Sequence, residues 1–562
     1  MKVHSQSQID RYEQAGVWGE TTLLDRFSDT VESAPDRKAV VDPPNAAELV
    51  DRDPEQFTYE AFAERVGGIA AGLRDHGVEK NDVVVVQLPN TWELAALYLA
   101  VARAGGVISP LPVQWRRREL DHVVELTDAE LFVTLDEFNG FDHVEMARDA
   151  VTDLDSLEEI VTLTEIREMS EQEPDPSALD DVSIGANEVF NLEWTSGTTA
   201  APKACPMTHN NWHGMPILPL LDFEIGEPQT VLCTAPLVNM TAVGVNLIPW
   251  LLTGGTFVIH HPLDFDILVD QIQTEGVTFT ILVPTVMNRL LKHPGVDDFD
   301  LSGVDTIATG SAAPAEWALE EFRDRWGIEV VNIWGQNEGT AIISGPKTTP
   351  MARRATDFPQ FGADRDDTDW AFSDPRVDTI RTKIVDDTGD IVTETGEVGE
   401  LAYKGPGVIA EYFRQPDLTD DAFDDEGYFY TGDLFQIEDD GFISFFDRKK
   451  DVIIRGGYTI SAKEVENVVL EHPDVADAAV VGMPDEDLGE RVCLYAVPVK
   501  GSDLSLKDIT NTLEDDLAIY KHPERLEVVE TIPRNPVGKI RKTELREDIA
   551  ETADTATNGG EV

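Results

Sequence analysis

The chain has 562 residues, more than a single hydrophobic core usually serves, so its length predicts at least two domains. Its 107 acidic and 44 basic residues give a formal net charge of −63, which excludes a nucleic-acid phosphate backbone as a partner. The same charge predicts a salt-saturated cytosol that screens the repulsion; an acidic surface for a protein partner is the alternative interpretation.

The cysteines and the apolar stretches indicate the cellular compartment in which the protein is expected to work. Cys205, Cys233 and Cys493 lie far apart without a C-x-x-C pair, which argues against disulfides and a zinc site and fits a reducing cytosol. Residues 1–10 contain no apolar stretch, so no secretory signal is expected. The most apolar stretch, 243–259, is interrupted by an asparagine, a proline and a pair of glycines, which predicts buried core and not a membrane span.

The first motif along the chain is a loop of small and hydroxyl-bearing residues followed by a lysine. It consists of Thr195, Ser196, Gly197, Thr198 and Thr199, with Lys203 behind them. Backbone N–H groups, hydroxyls and a cation are donors that can hold a polyphosphate. No Gly-x-x-x-x-Gly-Lys-Ser/Thr spacing fits the loop, which excludes the P-loop of kinases and GTPases. Taken alone, such a cluster is more typical of an ordinary surface loop.

Between about residues 230 and 335, strand-like and helix-like runs alternate. Strands are predicted over 231–236, 256–260, 278–283 and 329–333. Helices are predicted from a cap at Asp266 to Gly276, from Pro284 onward, and over 316–326 with Gly327 behind it. This alternation predicts parallel strands covered by helices, with ligands at the carboxyl ends of the strands.

From about residue 375 the pattern is richer in strands, and from Ser461 a separate unit begins. Ser461 and Glu464 predict a capping box for a helix reaching His472. Strands over 478–482 and 492–499 and a helix over 507–517 follow. The predicted fold class is α/β: a large N-terminal domain of parallel-type sheets with covering helices, plus a small α+β C-terminal domain.

Five motifs in order along the chain resemble those of the adenylate-forming (ANL) superfamily, in its acyl-CoA synthetase or acid–CoA ligase branch. They are the loop at 195–203, Trp-Gly-Gln-Asn-Glu at 334–338, Tyr-Thr-Gly-Asp at 430–433, Asp-Arg-Lys-Lys-Asp at 447–451 with the glycines 456 and 457, and Gly-Lys-Ile at 538–540. One such motif is weak, but five in order are specific, and the resemblance covers roughly residues 10–545.

The resemblance implies ATP, Mg²⁺ and CoA as cofactors and substrates, with a small carboxylic acid as the group to be activated. It assigns Lys203 and the hydroxyl loop to the β- and γ-phosphates and Glu338 to the metal. Asp433 and Arg448 would bind the ribose, and Lys539 would stabilise charge between the carboxylate and the α-phosphate. The catalytic residues are thus expected to be Lys203, Glu338 and Lys539. The other expected nucleotide contacts are Gly310, Ser311, Ala312, Trp334, Gly335, Gln336 and Asn337.

The resemblance also implies a mobile small domain that turns about Lys450 between two half-reactions. The implied boundaries are 1–447 for the AMP-binding domain, 448–451 for the hinge, 452–550 for the small domain and 551–562 for a disordered acidic tail. After the turn, Gly456, Gly457 and Tyr458 would line the approach of CoA.

Several residues depart from the family pattern and leave the substrate open. Ala200 and Ala204 replace glycines and Asn337 replaces a threonine. Val238 and Asn239 stand where phenylalanine and histidine are common in the acyl pocket. Segments near residues 12–24 and 87–106 look like those of ligases for medium-chain fatty, alicyclic or aryl acids.

Two other functions fit the same motifs. The acyl group could pass to a carrier-protein thiol in place of CoA, or the protein could bind nucleotide without catalysis. The sequence leaves the choice between monomer and homodimer open.

Overall fold

The computed structural model describes residues 1–173, 179–195, 201–218, 228–362, 374–485, 487–514, 517–534 and 539–549. Two parallel-type sheets build the N-terminal region. The larger has eight strands, in spatial order Thr340–Ser344, Glu329–Gln336, Thr306–Gly310, Phe279–Ile281, Thr230–Cys233, Thr256–Ile259, Lys38–Val41 and Gln56–Thr58. Its strands run parallel except at the two edges.

The second sheet has six strands, and its strands also run parallel except at one edge. In spatial order they are Ala204–Thr208, Val189–Trp194, Val107–Pro110, Val83–Gln87, Leu131–Thr134 and Glu159–Thr162. A hairpin of Glu137–Phe138 and Phe141–Asp142 lies apart from both sheets. The alternation of strands and helices therefore gives the parallel architecture that the sequence predicts.

Residues 357–448 contribute an antiparallel sheet, and the sequence predicts a strand-rich region from about residue 375. The sheet contains Asp357–Pro359, Phe442–Arg448, Phe429–Ile437, Val398–Lys404 and Arg381–Val385. The small C-terminal domain has a further sheet of Tyr458–Ile460, Ile453–Arg455, Gly489–Pro498 and Val475–Asp485, with Arg525–Val528 parallel to Gly489–Pro498. The α/β fold class with a large and a small domain is confirmed.

Helices cover the sheets. In the N-terminal region the α-helices are Gln6–Gln14, Leu23–Ser33, Ala46–Val50, Tyr59–Asp75, Trp92–Ala104, Arg117–Thr127, His143–Asp153, Leu163–Ser170, His209–Gly214, Met240–Ala242, Ile248–Thr253, Phe265–Thr274, Pro284–Leu291, Glu316–Trp326 and Pro416–Ala422. A π-helix, Val243–Leu247, joins two of them. The small domain contains Ala462–Val469, Leu506–Leu513 and a helix over 542–549.

Several helix ends differ from the sequence prediction. Asp264, not Asp266, caps the helix Phe265–Thr274, because its Oδ1 accepts from the backbone N–H groups of Asp266 and Ile267. Ser461 caps its helix by accepting from the N–H of Glu464, but that helix ends at Val469 and not at His472. The next helix ends at Leu513 and not at 517. The residue at which a helix begins or ends depends on which polar groups can bond to its terminal free N–H or C=O groups, and tertiary packing decides which polar groups lie there.

The apolar stretch 243–259 is buried core, as predicted. Trp250 and Phe257 are fully buried, and their rings stack at 5.3 Å between centroids. No helix in the described part of the chain is long and apolar enough to cross a membrane. The three cysteines are free and buried.

Candidate active site

Two of the predicted nucleotide loops lie side by side at the carboxyl edge of the eight-stranded sheet. Strand Thr306–Gly310 pairs in parallel with strand Glu329–Gln336, and Gly310 lies opposite Ile333. A Cβ at Gly310 would meet the carbonyl oxygen of Ile333 at 2.8 Å, so this close approach requires glycine. The loops that follow these strands therefore start from neighbouring positions at one edge, where open α/β sheets bind ligands.

The surface expected to hold adenine is open on one side and bounded by an indole on the other. Ser311, with a φ of 69°, and Ala312 are exposed beyond the end of their strand. Trp334 is half-buried, and its ring stands edge-on to Phe435 at 5.3 Å between centroids. Its indole N–H donates to Oδ2 of Asp433 at 2.9 Å, a contact that the sequence does not predict.

Asp433 is the buried carboxylate to which these groups converge. Nε2 of Gln336 also donates to its Oδ2, at 3.2 Å, and Nε of Arg448 lies 3.9 Å from its Oδ1. Burial raises the pKa of Asp433, and the charge of Arg448 opposes that rise. The structure thus brings together Trp334, Gln336, Asp433 and Arg448, which the sequence predicts as one nucleotide site from three separate motifs.

A tyrosine hydroxyl connects Glu338 and Lys203 by two hydrogen bonds. The Tyr412 hydroxyl donates to Oε1 of Glu338 at 2.8 Å, and Nζ of Lys203 donates to that hydroxyl at 2.6 Å. The ammonium lies 3.7 Å from the same carboxylate oxygen. The sequence motifs do not indicate Tyr412. The feature of the sequence that could have indicated it is a single tyrosine shortly after the Gly-Pro-Gly turn at 405–407.

The phosphate loop is described only at its two ends. The backbone N–H of Thr195 donates to the carbonyl of Lys203 at 3.0 Å, and the N–H of Lys203 donates to the Thr195 hydroxyl at 3.0 Å. These two bonds close the base of the loop. The predicted phosphate contacts Ser196, Gly197, Thr198 and Thr199, with Ala200, lie outside the described residues.

Asn337 joins the glutamate-bearing loop to two other elements. Its Nδ2 donates to the carbonyl of Trp194 at 2.6 Å, and its Oδ1 accepts from the backbone N–H of Met240 at 3.3 Å. A threonine side chain is shorter and carries a single hydroxyl. The asparagine amide instead offers a donor and a separate acceptor, which bond to two different elements. At the neighbouring Gly335 a Cβ would lie 2.7 Å from the carbonyl oxygen of Thr340.

The two residues expected at the acyl pocket begin the helical segment 240–253. Val238 is buried, whereas Asn239 is partly exposed. The Oδ1 of Asn239 accepts from the N–H of Ala242 at 3.1 Å, so this side chain is the N-cap of the segment. The structure therefore gives Asn239 a local structural role, and its effect on the acid stays a prediction.

The charges of this site also act on Lys539 in the C-terminal domain. Loss of solvent around its ammonium, followed by the positive charge of Arg448, lowers the pKa of Lys539 to about 8. The charges of Asp433 and Glu338 act on it in the opposite direction, which puts the lysine within electrostatic range of both carboxylates. The neighbours Asn535 to Gly538 lie outside the described residues.

Beyond Arg448, the hinge continues through Lys450 to the small domain, which carries the expected CoA approach. The backbone carbonyl of Lys450 accepts from the guanidinium of Arg546 at 2.9 Å, which ties the hinge to the C-terminal helix over 542–549. Gly456 and Gly457 form the two-residue turn of a hairpin with φ of 57° and 86°. Both glycines and Tyr458 are exposed, and a Cβ at Gly457 would meet no heavy atom within 4 Å.

The described residues fit a magnesium ion held mainly by a nucleotide. They contain no cluster of three or more histidine, cysteine, aspartate or glutamate side chains suited to hold a metal. Mg²⁺ bound with ATP takes most of its ligands from phosphates and water and only one or two from protein carboxylates. Glu338, which lies 3.7 Å from the Lys203 ammonium, is a single carboxylate that would fit this role.

Comparison with known proteins decides the family. A family model described as AMP-binding enzyme matches residues 27–413, and one described as AMP-binding enzyme C-terminal domain matches residues 464–539. The chain belongs to the AMP-binding enzyme family. It is an AMP-forming ligase, and the resemblance carried by its five motifs is confirmed.

Similar proteins extend over nearly the whole chain. The medium-chain fatty-acid–CoA ligase of Escherichia coli (strain K12) is 30% identical over 96% of this chain and 92% of its own length. The 2,3-dihydroxybenzoate-AMP ligase of Bacillus subtilis (strain 168) is 28% identical over 96% of each chain. The ATP-bound structure of MatB from Rhodopseudomonas palustris superposes with a TM-score of 0.79 at 24% identity, covering 95% of this chain and 100% of that one, which shows the shared fold.

Proposed function

We propose that this protein is an ATP-dependent carboxylic acid–CoA ligase that uses Mg²⁺ and works in a high-salt cytosol. The observation that carries the proposal is the convergence of Trp334, Gln336 and Arg448 on the buried carboxylate of Asp433. The charges of Asp433 and Glu338 also act on Lys539, a cation carried by the small domain. This is the arrangement that joining two anions requires.

In the first half-reaction, a carboxylate oxygen of the acid forms a bond to the α-phosphorus of ATP. The bond from that phosphorus to the oxygen bridging the β-phosphate breaks, and pyrophosphate leaves. Lys539 neutralises the charge where the two anions meet, and Lys203 neutralises the leaving pyrophosphate. Asp433 accepts from the ribose hydroxyls and so fixes the nucleotide against Trp334.

Glu338, together with the phosphates of ATP, would hold the magnesium ion. When bound, the ion supplies charge neutralisation on the phosphate oxygens. The Glu338 side chain is suited to this role because only 8% of the residue is exposed and its Oε1 is already fixed by the Tyr412 hydroxyl.

In the second half-reaction, the sulfur of CoA attacks the acyl carbon, the bond from that carbon to AMP breaks, and AMP leaves with its oxygen. We infer that the small domain, over 452–550, turns about 448–451 for this step. The exposed hairpin that bears Gly456, Gly457 and Tyr458 would then face the acyl-adenylate. Residues 1–447 would form the AMP-binding domain, and 551–562 the acidic tail.

The acid is proposed to be a medium-chain fatty, alicyclic or aryl acid. Relatives at similar identity include a medium-chain fatty-acid–CoA ligase and a 2,3-dihydroxybenzoate-AMP ligase. The second of these keeps open the alternative in which a carrier-protein thiol accepts the acyl group.

The test is acid-dependent pyrophosphate release at molar KCl with a panel of fatty, alicyclic and aryl acids. Each active acid is then supplied with CoA or with a phosphopantetheinylated carrier protein, and the thioester is measured. Thioester on CoA supports the proposal, and thioester only on the carrier favours the alternative. ATP binding without pyrophosphate release for any acid would contradict catalysis.

A further inference from the structure

A buried tyrosine joins the two groups that the proposed function assigns to the ATP phosphates and the metal. Tyr412 lies between strand Val398–Lys404 and helix Pro416–Ala422 and is 2% exposed. Its hydroxyl donates to Glu338 at 2.8 Å and accepts from Lys203 at 2.6 Å. The lysine ammonium also lies 3.9 Å from the centre of the phenol ring. A single side chain therefore contacts both charged groups.

The chemistry of the three groups fixes the direction of both hydrogen bonds. An ammonium can only donate and an ionised carboxylate can only accept, so the hydroxyl must accept from Lys203 and donate to Glu338. A phenol ordinarily ionises only near about pH 10, so the Tyr412 hydroxyl is protonated at neutral pH and able to donate.

The backbone around Tyr412 is fixed to both of its partners' segments. The N–H of Ile409 donates to the carbonyl of Glu338 at 3.0 Å. The N–H of Phe413 donates at 2.9 Å to the carbonyl of Ala204, the residue after Lys203. The phenol is thus held at a set position relative to the glutamate loop and to the end of the phosphate loop.

A second set of bonds holds the start of the same segment. Nδ2 of the buried Asn211 donates to the carbonyls of Pro406 and Val408 at 3.1 and 3.0 Å. The indole N–H of Trp18 donates to the carbonyl of Pro406 at 3.2 Å. A segment tied at so many points can hold one side chain in one rotamer, as positioning of a partner requires.

We propose that Tyr412 is a positioning residue that keeps Glu338 available to the metal and Lys203 available to the phosphates. The inference rests on the proposed function of those two residues. Without the hydroxyl between them, the ammonium and the carboxylate, whose ion pair now spans 3.7 Å, would close to hydrogen-bonding distance. Each would then neutralise the other and bind Mg²⁺·ATP less well.

The variant Tyr412→Phe tests this, because it removes the hydroxyl and keeps the ring. Titration calorimetry of ATP across Mg²⁺ concentrations, on the full chain at molar KCl, should show weaker Mg²⁺-dependent ATP binding by about tenfold or more, the usual scale for a lost hydrogen bond to a charged group. Thioester formation from supplied acyl-AMP and CoA should be unchanged. Wild-type magnesium dependence in this variant would overturn the proposal.

The matched control is Tyr403→Phe, which also removes one buried tyrosine hydroxyl bond. Tyr403 donates to the carbonyl of Ala341 at 3.1 Å and does not contact Glu338 or Lys203. We expect a similar loss of melting temperature in both variants but normal magnesium dependence in Tyr403→Phe. An equal rise in magnesium requirement in both would show a general structural effect and overturn positioning.

A double-mutant cycle separates action through Glu338 from other effects. If Tyr412 acts through that carboxylate, Tyr412→Phe should cost little further magnesium affinity in a Glu338→Gln background. Additive losses would overturn the proposal. The two proposals can fail separately. If magnesium-dependent ATP binding needs Tyr412 but no acid causes pyrophosphate release, the ligase proposal is refuted and the positioning role stands. If pyrophosphate is released but Tyr412→Phe binds Mg²⁺·ATP like the wild type, the positioning role is refuted and the ligase proposal stands.

Discussion

At the scale of single residues, we expect the charge of Lys539 to control the first half-reaction. Its pKa is lowered to about 8, and only the protonated form can stabilise the meeting of two anions. The kcat/KM for pyrophosphate release, measured without CoA, should therefore not change with pH through the ionisation of Lys539 below about pH 7. It should fall as pH rises through about 8. In Lys539→Arg the alkaline fall should disappear, because a guanidinium stays charged. An unchanged alkaline limb in that variant would contradict the assignment.

Glu338 gives a second prediction at this scale. Glu338→Gln keeps the size of the side chain and its bond to Tyr412, while it removes the negative charge offered to the metal. Loss of one such electrostatic group typically lowers the rate by about 10²–10³. The defect should recover in part at high Mg²⁺. Near-normal turnover at limiting Mg²⁺ would show that Glu338 does not hold the metal.

At the scale of elements, Asn239 combines a helix cap with a place at the expected acyl pocket. Asn239→Ala removes the bond to the N–H of Ala242, so it should lower stability by about 0.5–2 kcal/mol and also widen the range of acids. Asn239→Ser keeps a capping oxygen and should restore stability while it still alters the acid profile. The measurements are thermal melts beside kcat/KM for the acid panel. If both variants keep the wild-type profile, Asn239 does not line the pocket.

The glycine hairpin and the lysine loop should separate the two half-reactions. Lys539→Ala should abolish pyrophosphate release and leave conversion of supplied acyl-AMP and CoA to thioester largely intact. Gly457→Leu should form acyl-AMP and fail with CoA, because its side chain would project from the exposed turn into the expected approach of pantetheine.

Backbone strain at Gly457 needs its own control, since its φ of 86° suits glycine. Gly501 has a φ of 96° and equally open surroundings in the same domain. Gly501→Leu should therefore show the same strain with normal CoA transfer. If Lys539→Ala and Gly457→Leu both lose both half-reactions equally, the rotating-domain mechanism is wrong for this protein.

At the scale of the whole molecule, the net charge of −63 should set the salt requirement. At about 1 M salt the Debye length falls to about 3 Å, which removes most of the repulsion between surface carboxylates. The melting temperature should rise steadily from about 0.1 M to 2 M KCl, and sucrose of equal osmolality should not reproduce the rise. A melting temperature independent of KCl would contradict the proposed high-salt setting.

The sequence by itself determined the features that depend on neighbouring residues. The helix Glu316–Trp326 and its end at Gly327 were predictable because periodicity and the C-cap are local. The parallel architecture followed from the alternation of strands and helices. The candidate site residues came from five short motifs that resemble those of the family, and their roles stay predictions.

Only the tertiary structure decided what depends on residues far apart in the chain. Tyr412 lies 74 positions from Glu338, so no local pattern could show their hydrogen bond. The indole N–H of Trp334 meets Asp433 because strands from two different sheets converge at the site. The lowered pKa of Lys539 arises from solvent loss and from the charges of Arg448 and Lys450, which together outweigh the opposing carboxylates, and such sums exist only after the chain has folded.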